Sequence, residues 1–388
     1  MQSHQCFNVP HLRFPEFSGE WEKQSLGATC NVLMCKRILA SQTNTEGGVP
    51  FYKIGTIGSI ADAYISRELF ETYRAKYNYP RKGEVMITCA GTVGKTMLFD
   101  GHDSYYQDSN IVWIDNPNNH IDNTFLYHFL SRVDWSRLNT TTIVRIYNDD
   151  LRQLRISYPS KEEQKKISDL LNLLDQRIET QKKIIEKYES LIKGLSNKLL
   201  YASKGTSVRL GDILIERSER TKRNNQHEVL SSTVKGIFSQ REYFSKEIAS
   251  ENNIGYKIIH LHDVVLSPQN LWMGNINYND KYDIGIVSPS YKIFSIAEGY
   301  DKLFVSALLK THRALYNYML VSEQGASVVR RNLNMEAFEQ LVFKMPSIDK
   351  QREVGNTISA LQSRIELAIR VKTAYEKQKQ WLLTEMFI

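Results

Sequence analysis

Apolar residues recur in steps of four and three at Ile167, Leu171, Leu174, Ile178, Ile185, Tyr188, Ile192, Leu195 and Leu199, with Gln181 at the polar position of the series. A period of about 3.5 residues held over so long a stretch is that of a coiled-coil seam, not of an ordinary core helix. From Glu162 to Leu200 there is no proline, and Gly194 is the single glycine. Ser160, after Pro159 and three residues before Glu163, supplies a capping-box start. At about 1.5 Å per residue such a helix spans roughly 58 Å. A second stretch repeats the spacing at Val354, Ile358, Leu361, Ile365, Ala368, Lys372, Tyr375, Lys379, Leu382 and Met386. Its two lysines predict a weaker seam, a shifted register, or another chain covering that part.

The two helices belong to an internal repeat. PSKEEQKKISDLLNLLDQRIE from Pro159 returns as PSIDKQREVGNTISALQSRIE from Pro346, at a gapless offset of 187 residues. Upstream the correspondence is looser: Leu26-Gly27 answers Leu210-Gly211, GEVMIT (Gly83 to Thr88) answers HDVVLS (His262 to Ser267), and Phe125-Leu126 answers Phe304-Val305. A variable block followed by a near-constant helix therefore occurs twice. Within the blocks, short apolar runs between Gly, Asn and Asp turns predict strands at Val49 to Gly58, EVMITCAG, KTMLF, DIGIV and SYKIF. Helices are predicted at NTFLYHFLSRVDW and KLFVSALLKTHRALYNYML. The fold class expected is α+β: two small curved sheets with flanking helices, separated by two long antiparallel coiled-coil helices with pseudo-twofold symmetry. The expected segments are a leader (1–20), a first domain (21–158), a first spacer helix (159–205), a second domain (206–345) and a second spacer helix (346–388).

Composition adds a partner class. A formal net charge of +7 and an isoelectric point near 9.0 favour an anionic ligand. Cys6, Cys30, Cys35 and Cys89 show neither disulfide nor zinc spacing, so free thiols in a reducing cytoplasm are expected. No signal-peptide pattern opens the chain, and no apolar run reaches the roughly 18 residues of a membrane span, so no membrane role is expected.

Catalytic motifs fail on inspection. GTVGKT (Gly91 to Thr96) resembles the end of a phosphate-binding loop, but Cys89 stands where the first glycine belongs and MLFD continues as a strand, not a helix. The single Asn-Pro, Asn116-Pro117, runs into Asn118-Asn119 and reads as a turn, not a methyltransferase motif. No metal, serine-nucleophile or nuclease constellation stands in a suitable context. What remains suits DNA contact, in which cations position phosphates and polar amides read base edges. In the first block the candidates are Lys53, Thr56, Gly91, Thr92, Lys95, Gln107, Asn110 and Arg145. In the second they are Lys235, Gln269, Asn270, Trp272, Tyr291, Arg330 and Arg331. Lys95 is expected to lie free on its turn, available to a phosphate.

The two PS-x-x-x-Q openings (Pro159 to Gln164, Pro346 to Gln351), the RIE triplets, the LG starts, the GTVGK turn, GIVSPSYKIF (Gly285 to Phe294) and the leader LRFPEFSGEWE (Leu12 to Glu22) together resemble type I restriction–modification specificity subunits over essentially the whole chain. The resemblance implies that each variable block is a target recognition domain reading half of a split site in double-stranded DNA. It implies that the constant helices carry two modification subunits, to which restriction subunits are added. It implies no catalysis and no cofactor on this chain, with S-adenosylmethionine, ATP and Mg on the partners. The helix positions expected to serve packing and docking are Ile167, Leu171, Leu174, Ile178, Ile185, Tyr188, Val354, Ile358, Leu361, Ile365, Lys372 and Tyr375; Lys372 and Lys379 are the ones expected to face a modification subunit. The competing reading is a coiled-coil interaction scaffold without sequence-specific DNA binding.

Overall fold

Ser160 caps the first long helix, Lys161–Tyr201, its hydroxyl accepting from the Glu163 amide at 3.4 Å. The other half of the predicted capping box does not form. The Glu163 carboxylate, almost fully buried, is taken instead by the Arg13 guanidinium in a two-pronged pair at 2.8 and 2.7 Å, which fastens the leader to the helix. The computed structural model describes residues 8–138, 145–201, 205–243, 252–324 and 331–388. Two compact units divide it, one of Met1–Gln181 with Val371–Ile388, the other of Lys182–Arg370, so each long helix contributes to both.

In the first unit an antiparallel sheet orders the strands Asn31–Leu33, Ile111–Asp115, Val85–Thr88 and Thr96–Leu98. A second small sheet joins Thr43–Asn44, Tyr64–Ile65, Val49–Tyr52 and Tyr105–Tyr106. The predicted strand at Val49 to Gly58 therefore ends at Tyr52. Beyond it the chain folds into a turn in which Thr56 and Ile57 donate backbone bonds to the Lys53 carbonyl, each at 3.0 Å.

The second unit repeats the first sheet in the same order, Leu214–Arg217, Lys292–Ile296, Val264–Leu266 and Ile276–Tyr278. Its predicted single helix over residues 302–320 is two, Lys302–Leu309 and His312–Leu320. Thr311 causes the break, because its side chain caps the second piece by accepting from the Ala314 amide at 3.2 Å.

The strings that mark the repeat each have a mechanical role, and it is the same one in both halves. The LG starts follow short strands, Glu22–Ser25 on Arg155–Tyr158 and Thr206–Arg209 on Met345 to Val342. Leu26 donates to the Leu154 carbonyl at 2.8 Å and Leu210 to Leu341 at 2.7 Å. The glycine after each leucine lies against a neighbouring helix: an added Cβ would come within 2.9 Å of Arg152 at Gly27 and 3.0 Å of Glu339 at Gly211. The buried Gln164 accepts from the Asp122 amide at 2.7 Å and donates to the Pro159 carbonyl at 2.8 Å. Gln351 does the same with Asp301 at 3.0 Å and Pro346 at 2.9 Å. Asp122 and Asp301 in turn cap the helices Asn123–Arg132 and Lys302–Leu309. The glutamine thus ties each spacer helix to the helix that follows the four-stranded sheet of its own unit.

The seam is real, and burial follows it. Ile167, Leu171, Leu174 and Ile178 are buried, as are Val354, Ile358, Ala368, Leu382 and Met386, while Ile185, Tyr188, Leu361, Ile365, Lys372 and Tyr375 are half-buried. Within the first unit the helices run antiparallel, since Asp175 meets Lys379 at 2.6 Å and Arg177 donates to the Tyr375 hydroxyl at 2.9 Å. This corrects the expectation that Lys379 turns toward another chain. Lys372 pairs with Glu376 of its own helix at 2.9 Å. Cys30, Cys35 and Cys89 are buried free thiols; Cys6 lies outside the described residues.

Beside the Asp175–Lys379 pair lies His128, fully buried, with Nε2 3.1 Å from Asn172 Oδ1 and Nδ1 without a partner. Burial, with Lys379 nearby, lowers its pKa from 6.5 to about 4. A base held neutral in the fold lets the unfolded chain take up a proton first, so stability is full above pH about 6.5 and falls until about pH 4. The loss should reach about 3 kcal/mol, seen as a falling urea midpoint. In His128→Gln the slope over this window should flatten, and an unchanged slope would move the titration to another group.

Candidate nucleic-acid interface

Backbone bonds, not side chains, gather the first unit's candidate residues. Cys89 donates to the Asn110 carbonyl at 2.7 Å and accepts from the Ile146 amide at 2.9 Å, and Gln107 donates to the Tyr52 carbonyl at 2.9 Å. The turns at 53–59, 89–95, 107–110 and 145–147 are thereby held together. Gly94 makes the second of these possible: its φ is +81°, and a Cβ there would lie 2.0 Å from the Trp135 ring.

On this group Lys53, ion-paired to Asp62 at 2.9 Å, is two-fifths exposed, and its amide donates to Thr56 Oγ1 at 3.1 Å. Exposed pairs of this kind are weak, so the ammonium can exchange its carboxylate for a phosphate. Gly91 takes a φ of +66°, packing on Ile54, and the Thr92 carbonyl accepts from the Thr88 hydroxyl. Arg145 donates to the Ser109 carbonyl at 3.3 Å, with its guanidinium 5.8 Å from the Tyr147 ring. A cleft of about 330 Å³ beside them is lined by Lys53, Gln107, Ser109 and Asn110, and by Arg37 and Asp108, which pair at 2.9 Å. Arg37 was not among the sequence candidates; nothing in its local string separates it from other surface arginines. Lys95 is exposed but tethered, its ammonium donating to the Ile57 carbonyl at 2.6 Å, so it does not lie wholly free on its turn.

In the second unit the turn 267–275 occupies the place of 89–95, between the same two strands of the sheet. Arg331 donates its amide to the Gln269 carbonyl at 3.2 Å and sets its guanidinium 5.0 Å from the Trp272 ring. Asn270 opens the short helical turn Leu271–Met273. Lys235 is exposed on the tight turn between Leu230–Thr233 and Gly236–Ser239. Arg330 lies outside the described residues. Tyr291 turns inward, its hydroxyl donating to the Ser232 carbonyl at 3.0 Å, and burial raises its pKa. It supports the turn and does not project from it.

Five of the helix positions expected to serve docking, Ile167, Leu171, Leu174, Val354 and Ile358, are consumed by the chain's own cores, and Ile178 is buried as well. The apolar side chains left exposed on the long helices are off the seam: Leu173 and Trp381 in the first unit, Leu191, Leu367 and Ile369 in the second. Among the described residues no cluster of three or more His, Cys, Asp or Glu is placed to hold a metal, and no helix is long and apolar enough to cross a membrane.

Residues 18–190 match the family described as type I restriction modification DNA specificity domain. A Haemophilus influenzae protein that carries the name of a type I restriction enzyme specificity subunit is 51% identical over 147 residues, which is 38% of this chain and 38% of that protein's length. The S subunit of a type I restriction-modification system from M. genitalium superposes with a TM-score of 0.64 at 16% identity, covering 98% of this chain and 99% of that one. A chain from a structure concerned with assembly and conformational transition of a type I system superposes at 0.50 and 13% identity, covering 97% and 99%. The match to the type I restriction modification DNA specificity domain thus spans residues 18–190, less than half of the chain, and the four-stranded frame built there is built a second time in the half that follows.

Proposed function

We propose that this chain is the specificity subunit of a type I restriction–modification enzyme and binds double-stranded DNA, without catalysing a reaction itself. Residues 21–158 and 206–345 act as two target recognition domains, each reading one half of a bipartite site. Residues 159–205 and 346–388 form the spacer helices, which dock two modification subunits through their exposed apolar side chains; restriction subunits complete the assembly in the cytoplasm. S-adenosylmethionine, ATP and Mg belong to those partners. One observation carries this reading: the same frame, closed by the same LG and glutamine joints, is built twice and carries a different set of cationic and amide side chains on its turns each time. A scaffold without DNA specificity has no use for that difference. Mapping methylated adenines in cells expressing the chain with its modification subunit tests the reading. A split motif of two defined halves is expected; no motif, or one undivided motif, overturns it.

Binding by the assembled complex should fall steeply with salt, because each neutralised phosphate releases about 0.9 counterion. Lys53→Ala should lower affinity for all duplexes about equally and flatten the salt slope by about one. A slope unchanged in fluorescence-anisotropy titrations would remove Lys53 from the phosphate contacts.

A further inference from the structure

In the second unit the Lys310 ammonium, at the break between helices Lys302–Leu309 and His312–Leu320, has its donors directed at three neutral oxygens. It donates to the Gly274 carbonyl at 2.9 Å, to Asn277 Oδ1 at 2.7 Å and to the Val234 carbonyl at 3.5 Å. An ammonium has three protons, so none is left for a ligand. Burial alone lowers its pKa to about 8, as expected of a cation with no facing carboxylate. The three acceptors come from three places: the turn that carries Lys235, the end of the turn that carries Gln269, Asn270 and Trp272, and the edge strand Ile276–Tyr278. Asn277 extends the joint inward, donating to Ser232 Oγ and to the Thr233 carbonyl at 2.7 Å each.

The first unit places a lysine to similar effect from a different position in the chain, exposed and with a single bond of this kind. Lys95 ends the turn 89–95, the counterpart of 267–275, and its ammonium crosses to the Ile57 carbonyl of the turn 53–59. Gly58 lets it pass, since a Cβ there would lie 3.1 Å from the nitrogen. In both halves a lysine therefore locks the turn between the edge strand and its inner neighbour to another turn through backbone oxygens.

We propose that Lys95 and Lys310 are positioning residues for sequence discrimination, each bracing the reading turns of its own half without touching DNA. The proposal rests on the DNA-reading function above. It predicts a separation that a phosphate contact cannot produce. A phosphate-binding lysine contributes to every sequence and to the salt slope. A brace contributes only where side chains must meet base edges in register, so its loss spares non-specific binding.

The test uses the full chain assembled with its modification subunit, as Lys310→Met and Lys95→Met. Affinity is measured for the cognate duplex, for duplexes altered in one half-site, and for a random duplex across salt. Lys310→Met should weaken discrimination at one half-site about tenfold, the scale of one mismatched base pair, and leave the other half-site, the random duplex and the salt slope as in wild type. Lys95→Met should do the same at the opposite half-site. Loss of affinity for all duplexes with a flatter slope would make either lysine a phosphate contact and overturn its role as a brace. Amide exchange on the same variants reads the brace independently of DNA. Turns 233–236 and 267–275 should exchange faster in Lys310→Met, and 53–59 with 89–95 in Lys95→Met; unchanged exchange refutes the brace even if no sequence preference exists. If a methionine variant does not fold, Lys310→Gln and Lys95→Gln, which keep two donors, replace it, with intermediate discrimination expected and wild-type discrimination refuting the proposal.

Discussion

Exchanging residues 207–345 for the corresponding block of a relative will change one half of the recognised DNA sequence and leave the other half as it was. Each half builds its own four-stranded sheet in the same order, and among the described residues none is shared between the core of Leu210, Phe294 and Phe343 and those built around Trp21 or Phe51. The block's ends are also fixed to each other: Ser207 pairs with Lys344 across two short strands, and Leu210 is bonded to Leu341. A graft cut there enters and leaves the constant helices in the native register. On the constant helices the contacts with the block include Gln351, Val354, Gly355, Ile358 and Ile192, which stay in place. The expected change is of specificity class and not of degree, because specific and non-specific affinities of such proteins differ by about a thousandfold or more. Methylated-adenine motifs before and after the exchange give the answer. If both halves of the motif changed together, the two units would not be independent readers.

The frame was legible because it rests on local chemistry and on repetition. The seam from Ile167 to Ile178 is an i, i+4, i+7 pattern, and burial follows it residue by residue. The Pro-Ser-x-x-x-Gln strings stood out through their duplication, although nothing in either string shows that the glutamine reaches a helix cap far upstream, 42 residues back at Asp122 and 50 back at Asp301. The sequence errors are of one kind, side chains whose partners are distant in the chain. Lys95 was expected to be free because Ile57 is 38 residues away, and Lys379 to face outward because Asp175 is 204 residues away. Tyr291 stands among the DNA-contact candidates because its acceptor, Ser232, is 59 residues away in the chain. Lys310 was missed because it follows the largely apolar run Leu303 to Leu309 and its three acceptors lie 33 to 76 residues away. One difference between the repeats follows the same logic. At the matching positions Ser168 and Gly355, the serine hydroxyl lies 3.4 Å from Asp122 Oδ1, whereas a Cβ on Gly355 would come within 2.6 Å of Asp301 Oδ1. The second joint is closer, and it requires glycine.

Gln164→Ala and Gln351→Ala will each destabilise the unit that holds the glutamine by about 3–5 kcal/mol, with little effect on the other. Both side chains are almost fully buried. Truncation leaves an aspartate N–H and a proline C=O unpaired, at about 1–3 kcal/mol for each group, with an added cost for the cavity. Gln164 stands to lose more, because its amide also donates to the His120 carbonyl at 3.3 Å, a bond that Gln351 has no counterpart for among its described contacts. Two further substitutions separate the contributions. Gln→Met keeps the volume and removes both bonds, so it should recover the cavity cost only. Gln→Glu keeps the acceptor for the aspartate N–H but places a carboxylate beside Asp122 or Asp301 and the proline carbonyl, and should be at least as damaging as alanine. Amide exchange followed unit by unit in urea tells local from global effects: Gln164 variants should open the core around Phe125, and Gln351 variants the core around Phe304. Equal loss of protection in both units from either variant, or a cost below about 1 kcal/mol, would show that these duplicated glutamines are not the joints between the spacer helices and their domains.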